Sequence, residues 1–193
     1  VSINFKVENS DKSIEVFTTR PDTIFGVSFL TIAPEYKDIS ELSLSENKSV
    51  IEEYISEVSK KSERDRLSDV KTVSGVFSGS YAIHPFNGNK VPIWISDYVI
   101  ASYGTGAVMG VPAGDQRDFD FANKFQIEIP NIFENIDISN EAFSDKTGFK
   151  LINSKFLDGK DYNESIGIII NEIENKNIGK SKIQYKLRDA TFS

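Results

Sequence analysis

Alternation of apolar and polar residues predicts a β-hairpin at the start of the chain. The segments "INFKVE" and "SIEVFTT" alternate on either side of the turn-forming stretch "NSDK". In "RPDT" the proline and the aspartate then favour a turn, and "IFGVSFLTIA" is apolar enough to predict a largely buried strand. Thr18 and Thr19 are therefore expected at a strand end, where a polar loop lies between two apolar segments.

Apolar residues that recur at helical spacing, every three to four positions, predict three helices. Residues 45–66 begin with a serine suited to an N-cap and carry apolar residues at helical spacing, which predicts one amphipathic surface helix. Its apolar positions are Val50, Ile51, Tyr54, Ile55 and Val58. A second helix is expected from about Asp115 in "GDQRDFDFANKF", and a third in "YNESIGIIINEIENKNIG", ended by Gly179.

Short β segments fill much of the remaining chain. "TVSGVFSGSYAIHP" and "VPIWISDYVIA" predict strands around a turn at Asn87 and Gly88, and "AVMGV" predicts a short strand ended by Pro112. The glycines of "GTGAVMG" predict a bend that lets the backbone approach a neighbour or a ligand, because their spacing and Pro112 exclude a dinucleotide-binding loop. The tail "KSKIQYKLRD" alternates like a strand. With no repeat or linker, we expect one domain.

Composition narrows the function classes. The net charge of -7, from 22 basic and 29 acidic residues, argues against a surface that grips a nucleic-acid backbone, so any such contact must be local. The chain has no cysteine and a single histidine, His84, which argues against a transition-metal site and a nucleophilic triad. No apolar run approaches the roughly 18 residues of a membrane span, and no secretory signal is present, so we expect a soluble, cytoplasmic protein.

Two carboxylates at the start of the second helix have two interpretations. Asp115 fits the N-cap and Asp118 fits the third helical position, so a capping box explains both. Alternatively, Asp118 shares a helical face with Phe121 and Phe125, which turns its carboxylate toward the apolar side, where an ionised group needs a cation. That cation is either Arg117 or the amine of a substrate.

The threonines of "TTRPDT" are equally ambiguous. Threonines at strand ends and a proline-aspartate turn are ordinary structural features. In a pocket, however, the stiff threonine side chain serves both as a hydrogen-bonding group and as a fixed wall that excludes larger substrates.

Three segments together resemble the editing insertion of bacterial leucyl-tRNA synthetases. They are "FTTRPDTIFGVSFLTIAPE", "VPIWISDYVIASYGTGAVMGVPAGDQRDFDFA" and "KIQYKLRDATFS", and the resemblance spans practically the whole chain. It implies an α+β fold with a β-barrel-like core of mixed strands and surrounding helices. It also implies a single editing domain over residues 1–193, in which residues 1–12 and 181–193 are ribbons that connect to a synthetase body.

The activity implied by the resemblance is post-transfer editing, the hydrolysis of the ester that joins isoleucine, valine, methionine or norvaline to tRNA-Leu while Leu-tRNA-Leu is spared. One methylene changes binding by only about 1 to 3 kcal/mol, so a second sieve is needed. The implied partners are the aminoacylated 3′ adenosine end of tRNA-Leu and the synthetase body in cis. No cofactor, metal or membrane is implied, and the domain is expected to be monomeric.

Site residues follow from the resemblance, position by position. Asp118 would bind the α-ammonium of the misattached amino acid, and Thr23 would block leucine. The remaining implied site residues are Thr18, Thr19, Arg20 and Asp22 around the terminal adenosine, Tyr103, Met109 and Val111 around the amino-acid side chain, and Asp115 in support.

One departure from the family is important. Where the family usually has histidine before the helix, this chain has Gly114. The missing side chain leaves open an alternative in which the domain binds the aminoacylated 3′ end but hydrolyses it weakly or not at all.

Overall fold

The computed structural model describes residues 1–68, 72–102 and 104–181. Within these residues, seven strands form one mixed sheet in the order β2-β1-β4-β5-β3-β6, and β7 pairs with β1. Strands β3 and β5 are parallel, whereas the other pairs are antiparallel. The strands are β1 (Ser2–Val7), β2 (Ser13–Phe17), β3 (Phe29–Ile32), β4 (Gly75–Ile83), β5 (Lys90–Ser96), β6 (Ala107–Gly110) and β7 (Gly179–Lys180).

Helices connect and flank the sheet. They are α1 (Ile39–Leu42), α2 (Lys48–Val58), α3 (Glu63–Ser68), α4 (Gln116–Phe125) and α5 (Tyr162–Asn175). A six-residue 3₁₀ helix, Pro21–Gly26, lies between β2 and β3. None of the helices in the described ranges has the length and apolar character required to cross a bilayer.

The predicted N-terminal hairpin is confirmed. Strands β1 and β2 pair with Ser2 opposite Phe17 and Lys6 opposite Ser13. Alternation directs Ile3 and Phe5 into the core, where both are fully buried, while Asn4 and Lys6 face outward. Because β1 pairs with β2, β4 and β7, this first strand is an integral part of the sheet.

The mixed α and β composition is confirmed, but the barrel-like core is not. Edge strands β2 and β6 come into contact, yet the ladder of the described strands begins at one and ends at the other. The sheet is therefore curled and open, with a seam where β2 meets β6.

The single helix predicted over residues 45–66 is wrong. Helix α2 starts at Lys48 after a 3₁₀ turn, Ser45–Asn47, and ends at Val58. Ser62 then begins α3 with a reciprocal cap, because its hydroxyl accepts from the Asp65 amide while its own amide donates to the Asp65 carboxylate. Val50, placed on the apolar face by the spacing, is 57% exposed.

Two other predicted elements also have different limits. The apolar segment after Thr23 first completes the 3₁₀ helix, which Pro21 starts at a position that suits its fixed φ, so only Phe29–Ile32 forms a strand. Helix α5 ends at Asn175, and Asn177 adopts the left-handed conformation that was expected near Gly179. Gly179 instead pairs with Ile3 in the sheet. Most of the predicted C-terminal strand, after residue 181, lies outside the described residues.

Candidate functional site

A cleft of about 580 Å³ lies at the open seam of the sheet. The end of β2, strand β6, the loop after β5 and the start of α4 form its walls. Its lining residues in the described chain are Phe17, Thr19, Tyr98, Val99, Ile100, Ser102, Val108, Met109, Asp115, Arg117 and Asp118. Three predicted polar site residues, Thr19, Asp115 and Asp118, therefore share one cavity with the β6 side chains Val108 and Met109.

The start of α4 has the predicted N-cap at Asp115 but not the predicted capping box with Asp118. Asp115 is the N-cap, and its carboxylate accepts hydrogen bonds from the amides of Arg117, at 2.9 Å, and Asp118, at 3.2 Å. Asp118 does not complete a capping box, because its own side chain turns away from the cap. The second interpretation of Asp118, an acid on the apolar face, is the one that the geometry favours.

Asp118 is a buried carboxylate held by two donors. It is 7% exposed and accepts from the Tyr98 hydroxyl at 2.9 Å and from the Val111 amide at 2.8 Å. Burial, reinforced by the negative charge of Asp115, raises the pKa of Asp118 to about 7, although the two hydrogen bonds oppose this rise. Within the described chain Arg117 forms no ion pair with Asp118. The carboxylate thus keeps acceptor capacity toward the cleft, which suits an ammonium group.

Thr23 lies behind the cleft wall in the 3₁₀ helix. Its hydroxyl donates to the Arg20 carbonyl at 2.9 Å, which fixes the side chain, and the residue is 3% exposed. A Cβ atom on Gly114 would lie 3.8 Å from the Thr23 methyl and 3.6 Å from Val111 Cγ1. Val111 donates through its amide to Asp118 and accepts through its carbonyl from the Gly114 amide, and Gly114 faces Thr23, so Thr23 and Asp118 belong to one region of the molecule.

Arg20 and Asp22 form a buried ion pair next to this wall. Arg20 Nε donates to Asp22 Oδ1 at 3.0 Å, and Nη2 donates to Oδ2 at 2.8 Å, which gives a two-pronged contact with a fully buried carboxylate. The guanidinium also lies over the Phe149 and Tyr162 rings, at 5.9 and 5.3 Å from their centroids. Its donors bind Asp22 and the Ser144 carbonyl, neither of which lines the cleft, so the ion pair holds the Pro21–Gly26 segment in place.

The structure brings only some predicted site residues to the cleft surface. Thr19, Met109, Asp115 and Asp118 line it. Five others are absent from its lining: Thr18, Arg20, Asp22, Thr23 and Val111. Thr18 uses its hydroxyl to accept from the Arg20 amide at 2.9 Å. Tyr103 lies outside the described residues, and the roles assigned to all ten remain predictions.

Sequence reasoning missed Tyr98. Twenty residues separate it from Asp118 in the chain, and "VPIWISDYVIA" shows only a strand pattern, so no local signal connects the two side chains. Arg117 was considered only as a counter-ion for Asp118, whereas the structure places it in the cleft lining.

His84 has a structural role. Its Nδ1 accepts from the amides of Phe86 and Asn87, and Nε2 therefore carries the proton that binds the Ile24 carbonyl at 2.9 Å. Burial lowers the pKa of His84, and the ring packs against Phe5 and Phe25. The prediction that this histidine belongs to no nucleophilic triad agrees with its position among core side chains.

Comparison with known proteins identifies the family. Residues 1–174 match the profile of the family described as "Leucyl-tRNA synthetase, editing domain". The chain belongs to this family. It is 54% identical over 191 residues to a leucine–tRNA ligase of Christiangramia forsetii, covering 99% of this chain and 20% of the relative. A leucine–tRNA ligase of Azobacteroides pseudotrichonymphae is 47% identical over 193 residues, covering 100% of this chain and 21% of the relative.

A solved structure supports the same assignment for this editing domain. The LeuRS–tRNA–LeuAMS ternary complex of Agrobacterium radiobacter K84 agnB2 matches with a TM-score of 0.70 and 29% identity, over 97% of this chain and 20% of that one. The resemblance of the sequence motifs to this family is thereby confirmed. The chain spans about a fifth of the length of these relatives.

Proposed function

We propose that this editing domain hydrolyses the aminoacyl ester of mischarged tRNA-Leu. The substrates are tRNA-Leu carrying isoleucine, valine, methionine or norvaline, and Leu-tRNA-Leu is spared. The observation that carries the proposal is the buried Asp118 carboxylate, which is held by Tyr98 and Val111 and opens onto a cleft with an apolar β6 wall. This arrangement suits an α-amino acid, whose ammonium and side chain need opposite environments.

The mechanism uses positioning and water. The described cleft offers carboxylates, hydroxyl groups and an arginine, with no activated protein nucleophile among them. Asp118 anchors the ammonium, and a water molecule oriented by the pocket attacks the ester carbonyl. The bond from the carbonyl carbon to the ribose oxygen breaks, the ribose oxygen takes a proton from the water, and the free amino acid leaves. Thr23 limits the space from behind the cleft wall: its hydroxyl is tied to the backbone, so its methyl group rigidly supports the wall near Gly114 that rejects γ-branched leucine.

The proposed partners are the aminoacylated 3′ end of tRNA-Leu and the rest of a leucine–tRNA ligase. The much greater length of the relatives and the presence of tRNA in the Agrobacterium complex support both partners. Ser2 pairs with Lys180, so residues near the two proposed connecting ribbons lie side by side. A cleft of about 580 Å³ suits a terminal aminoacyl-adenosine, whereas the net charge of -7 suits no extended RNA contact.

Deacylation of Ile-tRNA-Leu and Leu-tRNA-Leu by the synthetase that carries this domain tests the proposal. We expect hydrolysis of the first substrate only, and about 100-fold slower hydrolysis after Asp118→Ala, because the ammonium then has no fixed counter-charge. Asp120→Ala is the matched control: Asp120 is exposed on the same helix and bonds Gln116, outside the cleft. Equal activity of the two variants would remove the basis for the proposal.

Thr23→Ala tests the sieve separately. Removing the hydroxyl and methyl groups enlarges the pocket, and we expect hydrolysis of Leu-tRNA-Leu to appear while Ile-tRNA-Leu is still hydrolysed. Continued rejection of leucine by this variant would show that another group sets the size limit.

Gly114 motivates the second candidate function, a domain that binds the aminoacylated end without efficient turnover. A Cβ at this position would meet only ordinary contacts, at 3.6 to 3.8 Å, so the backbone there has room for a Cβ atom. Comparison of the synthetase with its Gly114→His variant distinguishes the two functions. Appearance of Ile-tRNA-Leu hydrolysis only in the histidine variant would favour the binding function, whereas comparable rates in both would favour hydrolysis.

A further inference from the structure

Three side chains from three elements form a hydrogen-bonded chain that ends at the proposed ammonium site. The Tyr98 hydroxyl, in the loop after β5, lies 2.9 Å from Asp118 Oδ1 at the start of α4. It also lies 3.3 Å from Thr31 Oγ1 in β3, and Thr31 is fully buried. Tyr98 itself lines the cleft, so its ring forms part of the wall while its hydroxyl lies beneath the carboxylate.

The direction of these hydrogen bonds follows from proton counting. A tyrosine hydroxyl has one proton, and an ionised carboxylate only accepts, so Tyr98 donates to Asp118. Thr31 must then donate to the Tyr98 oxygen. The same chain holds Asp118 from below while the Val111 amide holds its other oxygen. Both carboxylate oxygens are fixed, and the carboxylate plane has one orientation toward the cleft.

The Tyr98 hydroxyl is one of several groups around Asp118 that affect its ionisation. Among the described residues, the other charged side chains that line the cleft are Asp115, the N-cap of α4, and Arg117 in its first turn. Asp115 disfavours ionisation of Asp118 and Arg117 favours it. The Tyr98 hydroxyl also favours the ionised form, and burial raises the pKa of Tyr98 well above its usual range, so it stays protonated.

We infer that Tyr98 is a positioning residue for editing: its hydroxyl orients the Asp118 carboxylate toward the cleft and donates to its ionised form, so that the carboxylate can bind the substrate ammonium. This inference rests on the proposed function for the identity of the ligand. It extends that function by making ammonium capture depend on a side chain that need not touch the substrate.

Tyr98→Phe removes the hydroxyl and keeps the ring. We expect the pH midpoint of kcat/KM for Ile-tRNA-Leu deacylation to rise by about one pH unit, because a donor to the charged form is lost. If the wild-type midpoint is near 7, this shift lowers kcat/KM about fivefold at pH 7 and about 1.3-fold at pH 8.5. The loss should appear in KM, with kcat nearly unchanged, since ionised Asp118 acts in binding.

Tyr81→Phe is the control. Tyr81 lies in β4, where its ring packs against Phe77, and it is absent from the cleft lining. We expect this variant to keep the wild-type pH midpoint. A similar midpoint shift in both variants would overturn the inference, as would a Tyr98→Phe loss that is equal at every pH, which indicates packing alone.

Titration of the Asp118 carboxyl by ¹³C NMR separates this inference from the proposed function. Comparison of wild-type and Tyr98→Phe proteins needs no substrate, and we expect a higher pKa for Asp118 in the variant. An unchanged pKa would overturn the role of Tyr98 even if editing is confirmed. A raised pKa in a protein that deacylates nothing would support the effect of Tyr98 on Asp118 and contradict only the proposed function.

Discussion

Two buried titratable side chains give the fold opposite responses to pH. Burial raises the pKa of Asp118 to about 7 from an ordinary value of 3.8, and burial lowers the pKa of His84 below its ordinary 6.5. Between pH 3.8 and about 7 the folded state binds more protons at Asp118 than the unfolded state, so this contribution to stability is lost as pH rises. At His84 the unfolded state binds more protons, so that contribution is lost as pH falls below 6.5.

Thermal unfolding of wild-type protein and Asp118→Asn at pH 5 and pH 8 tests this sign. We expect the wild type to lose melting temperature relative to the variant as the pH rises, because only the wild type must ionise a buried carboxylate. Compared with His84→Asn, the wild type should lose melting temperature as the pH falls from 7 to 5, because only the wild type must protonate a buried imidazole. A wild-type minus Asp118→Asn difference that does not change with pH would show that Asp118 ionises as easily as it does in the unfolded chain.

At the scale of the element, the first turn of α4 combines helix stability and site chemistry. The Asp115 side chain accepts from the amides of Arg117 and Asp118, so it fixes the residue that carries the proposed function. Its charge also raises the pKa of Asp118. The cap therefore stabilises the helix while making Asp118 harder to ionise.

Replacing Asp115 separates these two effects. Asp115→Asn keeps a capping oxygen and removes the charge, so we expect nearly unchanged stability and a lower pH midpoint for deacylation. Asp115→Ala removes both and should also cost about 1 kcal/mol of unfolding free energy, measured by urea denaturation. Equal stability of the alanine and asparagine variants would mean that the cap contributes little to α4.

At the scale of the whole molecule, the site exists because the sheet does not close. Strand β2 ends at Phe17, β6 supplies Val108 and Met109, and the cleft opens where these two strands, at the ends of the described sheet order, meet. In contrast, β5 is paired on both sides, by β4 and β3. Edge strands lack half of their ladder bonds, so the seam is the part of the sheet that opens at the lowest free energy.

Hydrogen exchange of the backbone amides, with and without a non-hydrolysable norvalyl-adenosine analogue, tests this view. We expect the analogue to slow exchange in β6 and in the segment around Thr19, because a ligand stabilises the closed seam by mass action. Exchange in β5 should not change. Equal protection of β5 and the seam strands would indicate a global effect on stability and would contradict binding at the seam.

Local features of the fold could be predicted because local rules decide them. The alternation of apolar and polar residues predicted the first hairpin. Pro112 predicted the end of β6, and the glycines before β6 predicted the bend that precedes it. The position of Asp115 predicted the N-cap of α4. Gly104 and Gly106 both adopt positive φ, as the predicted bend requires. The family motifs also identified the family, which comparison with relatives confirmed.

Most of the remaining features depend on contacts between residues that are distant in the chain. The parallel pairing of β3 with β5 was not visible in a local pattern, because the two strands are far apart in the chain. The same limit hid Tyr98, whose bond to Asp118 exists only once β5 and α4 pack around the cleft. The break before Ser62 is different, because Ser62 and Asp65 are only three residues apart and their reciprocal cap is a local signal that helical periodicity alone does not register. The sequence by itself determined the strand and helix types, the capped carboxylate and the family; the tertiary structure decided the open seam and the partners of Asp118, because pairing and burial are set by long-range packing.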